Sequence, residues 1–279
     1  MAKEARISSG VPGLDPLVQG GFKRNSVNLI AGEPGSGKTI FGMHFLMDGC
    51  KKGECGIYIT FEEKKGKMYD DMLSIGWDLK KYEDKGLFRF LEYSPEQVKK
   101  ILVEGGGVVD AMVEKLKAKR IVIDSITSFS LLYEDELTKK EAALSLFDLI
   151  GKWNCTAVVT SQARAVDHET VMSAALEFEV DSIILLYHIR SKDERIRGIE
   201  ILKMRGTKIP EKTFELVLDK DGIKVTKKTV VFWDNCDDMN IEIIFEEVKK
   251  SFPEIKAKLK SFNSQSFMAS RPFGNYIFY

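Results

Sequence analysis

The eight residues Gly32–Thr39, GEPGSGKT, fit the pattern GxxxxGK[ST] without a mismatch and carry what a phosphate chain needs: glycines, a lysine and a hydroxyl. Gly32, Gly35 and Gly37 let the backbone through Glu33, Pro34 and Ser36 wrap so that its N–H groups point inward at phosphate oxygens. A helix opening at Lys38, Thr39 and Ile40 adds the partial positive charge of its N-terminus. In that chemistry Lys38 reaches the β- and γ-phosphates and Thr39 ligates Mg²⁺. A second Mg²⁺ anchor is expected as an aspartate closing an apolar strand, and RIVIDS supplies Asp124. Hydrolysis also requires a group that orients or deprotonates water. The run GIYITFEEKK ends in Glu62 and Glu63 on the strand after the first helix. On the residues alone, two readings of this pair stay open: a water-activating pair beside the phosphate loop, or surface charges paired with Lys64 and Lys65.

Such residues work only if a scaffold brings them to one place. SVNLIAG (26–32), CGIYITF (55–61), LFRFLEY (87–93), RIVIDS (120–125) and CTAVVTS (155–161) read as strands, and several are apolar throughout, as in a parallel sheet covered on both faces. The segment 38–53 reads as a helix with Phe41 and Phe45 four apart, and 137–153 as a helix opened by a Thr138/Glu141 capping box. From about residue 180, VDSIILLYHI, RGIEILKM, TFELVL and GIKVT follow closely, with DKDG as a turn, so the sheet should finish in antiparallel strands. The expectation is an α/β fold, a mostly parallel sheet flanked by helices, over residues 1–227, and a C-terminal amphipathic helical appendage and tail over 228–279. In the appendage Ile241, Ile244, Val248, Phe252, Ile255 and Leu259 recur at helical spacing.

The bulk properties fit a soluble globular chain: 279 residues, 44% hydrophobic and 30% charged. Forty-two basic residues balance 42 acidic ones, so no net field favours nucleic acid or an anionic membrane. No apolar run approaches the roughly 20 residues of a membrane span, and MAKEARISSG has no apolar signal core, which points to the cytoplasm. Cys50, Cys55, Cys155 and Cys236 show neither disulfide-scaffold nor zinc spacing and read as small buried hydrophobes. His44, His168 and His188 have no nucleophile motif beside them, which leaves Ser–His–Asp hydrolysis without support.

GVPGLDPLVQGGF, GEPGSGKT, YITFEE, IGWDL, IVIDS and EILKMRG stand in an order and spacing that resembles KaiC-like ATPases of the RecA superfamily, over about residues 7–226. The resemblance implies a RecA-like core, ATP and Mg²⁺ as ligands, and Glu62 and Glu63 as the pair that activates the hydrolytic water, with Lys38 on the phosphates. It implies Asp124 and Thr39 as the Mg²⁺-associated residues, Ser161 and Gln162 as sensors of the γ-phosphate, and Ser74 as a nucleotide contact. Lys203, Met204, Arg205 and Thr207 match residues that reach the nucleotide of the adjacent protomer, which implies a homo-oligomeric ring, a hexamer, acting as a regulatory switch with a protein partner. The match is to a single domain, since the chain has one phosphate loop. Glu177 and Phe178 stand where autophosphorylating relatives carry hydroxyls, which argues against autokinase activity. A recombination or repair ATPase that binds DNA uses the same core and is the competing reading; zero net charge weighs against it.

Overall fold

The computed structural model describes residues 5–230 apart from 104–105, 131–132, 134, 163–178 and 192–193. Contacts divide the chain into two compact units, Met1–Val231 and Phe232–Tyr279, and the described residues all lie in the first. The helical appendage expected beyond 228 lies outside the described residues from 231 onward, as do Glu177, Phe178 and Cys236.

Eleven strands are described: β1 (Arg6–Ile7), β2 (Phe22–Lys23), β3 (Val27–Gly32), β4 (Gly56–Thr60), β5 (Phe88–Glu92), β6 (Arg120–Asp124), β7 (Thr156–Gln162), β8 (Ser182–Ser191), β9 (Glu194–Met204), β10 (Phe214–Asp219) and β11 (Gly222–Thr229). The described helices are α1 (Lys38–Lys51), α2 (Lys65–Ser74), α3 (Leu79–Asp84), α4 (Pro95–Val103), α5 (Gly107–Leu116), α6 (Ile126–Ser130) and α7 (Glu136–Lys152). β1 and β2 pair with each other; the rest form one sheet in the order β11-β10-β9-β8-β3-β7-β6-β4-β5. The six strands from β8 to β5 run parallel, and β9, β10 and β11 continue antiparallel. This is the mostly parallel α/β sheet, finished antiparallel, that the apolar runs predict.

The alternation of side chains along each strand sorts the core into two layers. Ile30, Tyr58, Val122 and Val158 face α1, where Phe41, Phe45 and Leu46 are fully buried. Leu29, Ile57, Ile121 and Val159 face the opposite layer with Val113 of α5 and Leu146, Phe147 and Ile150 of α7. Because both faces are covered, these strands read as continuous apolar runs. Burial of each large side chain contributes about 1.5–3 kcal/mol. α1 rides close to β6 at Gly42, where a Cβ would stand 2.8 Å from Val122 Cγ1. Its closeness fixes the start of α1 against the ends of the central strands. Two residues beyond Tyr58, Val122 and Val158, on the same face, come Thr60 and Asp124, which end β4 and β6, and Thr160, two residues short of the end of β7, with Asp124 bonded to Thr39 of the first turn of α1.

One local expectation is corrected. α7 begins at Glu136, and its cap is Asp135, whose Oδ1 accepts from the Thr138 N–H at 2.9 Å. Thr138 therefore lies inside the first turn, and the helix needs no Thr138/Glu141 box, because a carboxylate three residues earlier already satisfies that donor. Cys50, Cys55 and Cys155 are buried thiols, as their sequence context predicts.

Candidate functional site

β3 ends at Gly32, and α1 begins at Lys38 after a five-residue loop. Gly32 is required by close approach: a Cβ there would stand 2.4 Å from the Leu186 carbonyl and 2.8 Å from Ser36 Oγ. Gly37 takes the N-cap position with φ of 106° and provides no side-chain cap, so the first-turn N–H groups keep their donors for another acceptor. The Ser36 hydroxyl is fully buried and has no hydrogen-bond partner among the described residues. An unsatisfied buried hydroxyl costs about 1–3 kcal/mol. Lys38 Nζ folds back to donate to the Gly32 and Glu33 carbonyls, each at 2.9 Å. Burial holds its pKa below the usual lysine range, and the nearby Asp124, Glu62 and Glu33 charges oppose that effect. A pocket of open N–H donors, an orphan hydroxyl and a buried cation fits a bound polyphosphate.

Asp124 closes β6 beside Thr60 of β4 and next to β7. Its Oδ2 accepts from Thr39 Oγ1 at 2.8 Å and from the Tyr58 hydroxyl at 2.6 Å, and its Oδ1 accepts from Thr160 Oγ1 at 2.5 Å. Burial, with the adjacent Asp124 carboxylate, pushes the Tyr58 phenol well above its ordinary range. One hydroxyl and one carboxylate at the mouth of a phosphate loop form a hard-oxygen donor set that suits Mg²⁺ completed by phosphate oxygens and water.

Glu62 and Glu63 leave the end of β4 in different directions. Both backbone N–H groups donate to Thr60 Oγ1, at 3.2 and 3.1 Å, which turns the chain sharply after the strand. Glu62 Oε1 accepts from the Ser125 hydroxyl at 3.1 Å and from the Ser128 hydroxyl, which holds the carboxylate next to the Asp124 strand end. Glu63 Oε2 lies 3.6 Å from Lys67 Nζ one turn along. Ser161 is buried with its hydroxyl 3.4 Å from Thr127 Oγ1. Gln162 stands opposite Gly32 in the β3–β7 register and donates its N–H to Thr127 Oγ1 at 2.8 Å.

The other residues singled out from sequence lie elsewhere in the chain. Ser74 ends α2, about 15 Å of helix away from the Glu63 end, and donates to the Asp71 carbonyl at 2.6 Å. The residues after it, Ile75, Gly76 and Trp77, line a cavity of about 290 Å³ with Met47, Lys51, Tyr82 and Asp221. Lys203 and Met204 finish β9 opposite Ile183 and Ser182, and Ser182 pairs with Asn28, four residues before Gly32. These residues, with Arg205 and Thr207 just beyond, therefore sit about 13 Å below the phosphate loop, at the other end of the sheet.

Residues 7–230 match the family described as ATPase: KaiC. The chain belongs to the KaiC family of ATPases. Similar relatives include the circadian clock protein KaiC3 of Synechocystis sp., 31% identical over 228 residues that cover 79% of this chain and 45% of that protein. A UPF0273 protein of Pyrococcus horikoshii is 33% identical over 215 residues, covering 72% of this chain and 86% of that one. The chain thus spans less than half the length of the clock protein but most of the archaeal relative. Among solved structures, the crystal structure of a KaiC-like protein from Pyrococcus horikoshii superposes with a TM-score of 0.72 at 31% identity, covering 80% of this chain and 100% of that one. The fold is accordingly a RecA-like core.

Several residues that build this site are given no role by the sequence. Tyr58 on Asp124 and Ser125 on Glu62 fall inside YITFEE and IVIDS but look there like ordinary strand content, while Thr160 on Asp124, Ser128 on Glu62 and Thr127 on Gln162 lie outside the motifs. Arg6 is another. It donates to the Val18 and Gly21 carbonyls at 3.1 and 2.8 Å and to Thr207 Oγ1 at 2.8 Å, tying the N-terminal segment to the turn after Met204.

Proposed function

We propose that this KaiC-family chain binds and hydrolyses Mg-ATP in a homo-oligomeric, hexameric ring, and that the nucleotide state switches a surface read by a regulatory protein partner. The observation that carries the reading is the meeting, at one end of the sheet, of the phosphate loop, the Thr39–Asp124 pair at 2.8 Å and the Glu62 carboxylate. The loop N–H groups and Lys38 would bind the phosphates, while Thr39 and Asp124 would hold Mg²⁺, which supplies charge neutralisation on the phosphate oxygens when bound. Glu62 acts as the group that orients water and takes its proton, because its carboxylate is held beside Asp124 by Ser125 and lies close enough to Lys38 for its charge to oppose the lowering of that group's pKa by burial. Glu63, directed at Lys67, supports the turn. Ser161 and Gln162, beside Gly32, suit the sensing of the γ-phosphate.

Lys203, Met204, Arg205 and Thr207 are too far down the sheet to meet a phosphate on their own loop, and this distance supports their acting on the nucleotide of the next protomer. Ser74 would contact the nucleoside end, away from the phosphates. Replacement of Glu62 by Gln tests the catalytic assignment through phosphate release and fluorescent-nucleotide binding. Turnover should fall by about 10²–10⁴-fold with ATP affinity retained, and Glu63→Gln should lose less. Unchanged turnover in Glu62→Gln would remove the assignment.

A further inference from the structure

We propose that Tyr58 is a positioning residue for the metal site: its hydroxyl, 2.6 Å from Asp124 Oδ2, fixes the carboxylate oxygen that Thr39 also contacts. The inference rests on the Mg-ATP reading above. Position 58 lies in the middle of a strand whose residues are all buried, where any large apolar side chain would satisfy the pattern. Tyr58 has no solvent exposure, and its ring stacks on Phe90 at 5.5 Å and 16°. A buried hydroxyl is unfavourable without an acceptor, and Asp124 provides it. The register explains the reach. Tyr58 stands beside Val122, and Thr60 beside Asp124, so the phenol extends forward by two strand positions, about 7 Å. A phenylalanine would fill the same space and stop one oxygen short.

Thr160 holds the other side, donating to Oδ1 at 2.5 Å from β7. Each carboxylate oxygen is thus gripped from a neighbouring strand, and the group cannot turn about its Cβ–Cγ bond without breaking a buried hydrogen bond. A divalent cation arriving at Thr39 would meet an oxygen already in place, as outer partners of metal sites arrange.

The test titrates Mn²⁺ by electron paramagnetic resonance into the full chain with ADP, for wild type, Tyr58→Phe and Thr160→Val. Tyr58→Phe keeps the stack on Phe90 and should weaken Mn²⁺ binding about tenfold, while ADP affinity without metal stays at the wild-type value. Thr160→Val frees only Oδ1 and should lose less. Wild-type Mn²⁺ affinity in Tyr58→Phe overturns the inference, and so does an equal loss in both variants, because any lost hydrogen bond to Asp124 would then suffice. Absence of Mn²⁺–ADP binding by the wild-type chain would instead remove the nucleotide reading itself, and this inference with it.

Discussion

Arg120, 1% exposed at the start of β6, donates from Nε to Glu54 at 2.7 Å and faces Asp48 of α1 at 3.0 Å. It also donates to the Ser8 and Phe45 carbonyls at 3.0 and 2.7 Å, and its guanidinium lies 4.8 Å from the Phe45 ring centroid. One buried cation therefore fastens the N-terminal segment and the C-terminal half of α1 to the sheet, while the other end of α1 follows the GEPGSGKT loop.

Arg120→Ala should destabilise the fold by about 3 kcal/mol, because it empties a buried site and takes the Arg120 donor from the Ser8 and Phe45 carbonyls, while Asp48 and Glu54 keep the more exposed Lys52 and Arg24. Arg120→Lys keeps the charge but loses the fork to two carbonyls and should fall between. Urea denaturation checks both: the midpoint should drop, with the slope unchanged if the denatured state is unaltered.

His44 provides a pH dependence whose sign can be worked out. Its Nε2 accepts from the Ile223 N–H at 2.9 Å, and its ring packs edge-on against Trp77 at 4.6 Å. Burial lowers its pKa from 6.5 to about 4, an effect reinforced by Lys51 and opposed by the Gly10 carbonyl and Asp219. The unfolded chain takes up a proton near pH 6.5 and the folded chain only near pH 4, so stability rises with pH across that window and is lost as pH falls through it. The loss should amount to about 3 kcal/mol at 1.36 kcal/mol per pH unit. Denaturation of wild type and His44→Gln at pH 7 and pH 4.5 should find a smaller pH difference in the variant. Equal differences would assign the effect to other groups.

The elements whose evidence is local were readable from sequence. GEPGSGKT carries its glycines, lysine and threonine within eight residues, and runs such as RIVID keep an apolar character that both-face burial demands. What remained hidden depends on pairing across long separations. Tyr58 meets Asp124 across 66 residues, and Arg6 meets Thr207 across 201. Tyrosine in an apolar strand looks like any aromatic core residue, and a serine on a short helix such as Ser128 looks like surface, until the register sets each beside a carboxylate. The cap of α7 is ambiguous in the sequence for a smaller reason: Asp135 and Thr138 are both good caps, and only the backbone at Asp135, extended at ψ of 152°, decides between them.

The placement of Lys203 and Arg205 about 13 Å along the sheet from Gly32 makes a prediction that a cis arrangement does not. A Lys203→Ala/Arg205→Ala variant and a Glu62→Gln variant should each hydrolyse ATP poorly, the first by about 10³-fold if these cations stabilise the transferring phosphoryl group. In mixed rings some interfaces join an intact Glu62 on one protomer to intact Lys203 and Arg205 on its neighbour. Turnover of the mixture should then exceed the sum of the two variants alone, and only under conditions where solution mass, with Mg-ATP, indicates assembly. If the residues act within one chain, every protomer in the mixture remains defective and the turnover is the simple sum. A monomer with and without Mg-ATP would remove the trans role altogether, since no neighbour would be present to receive the two cations.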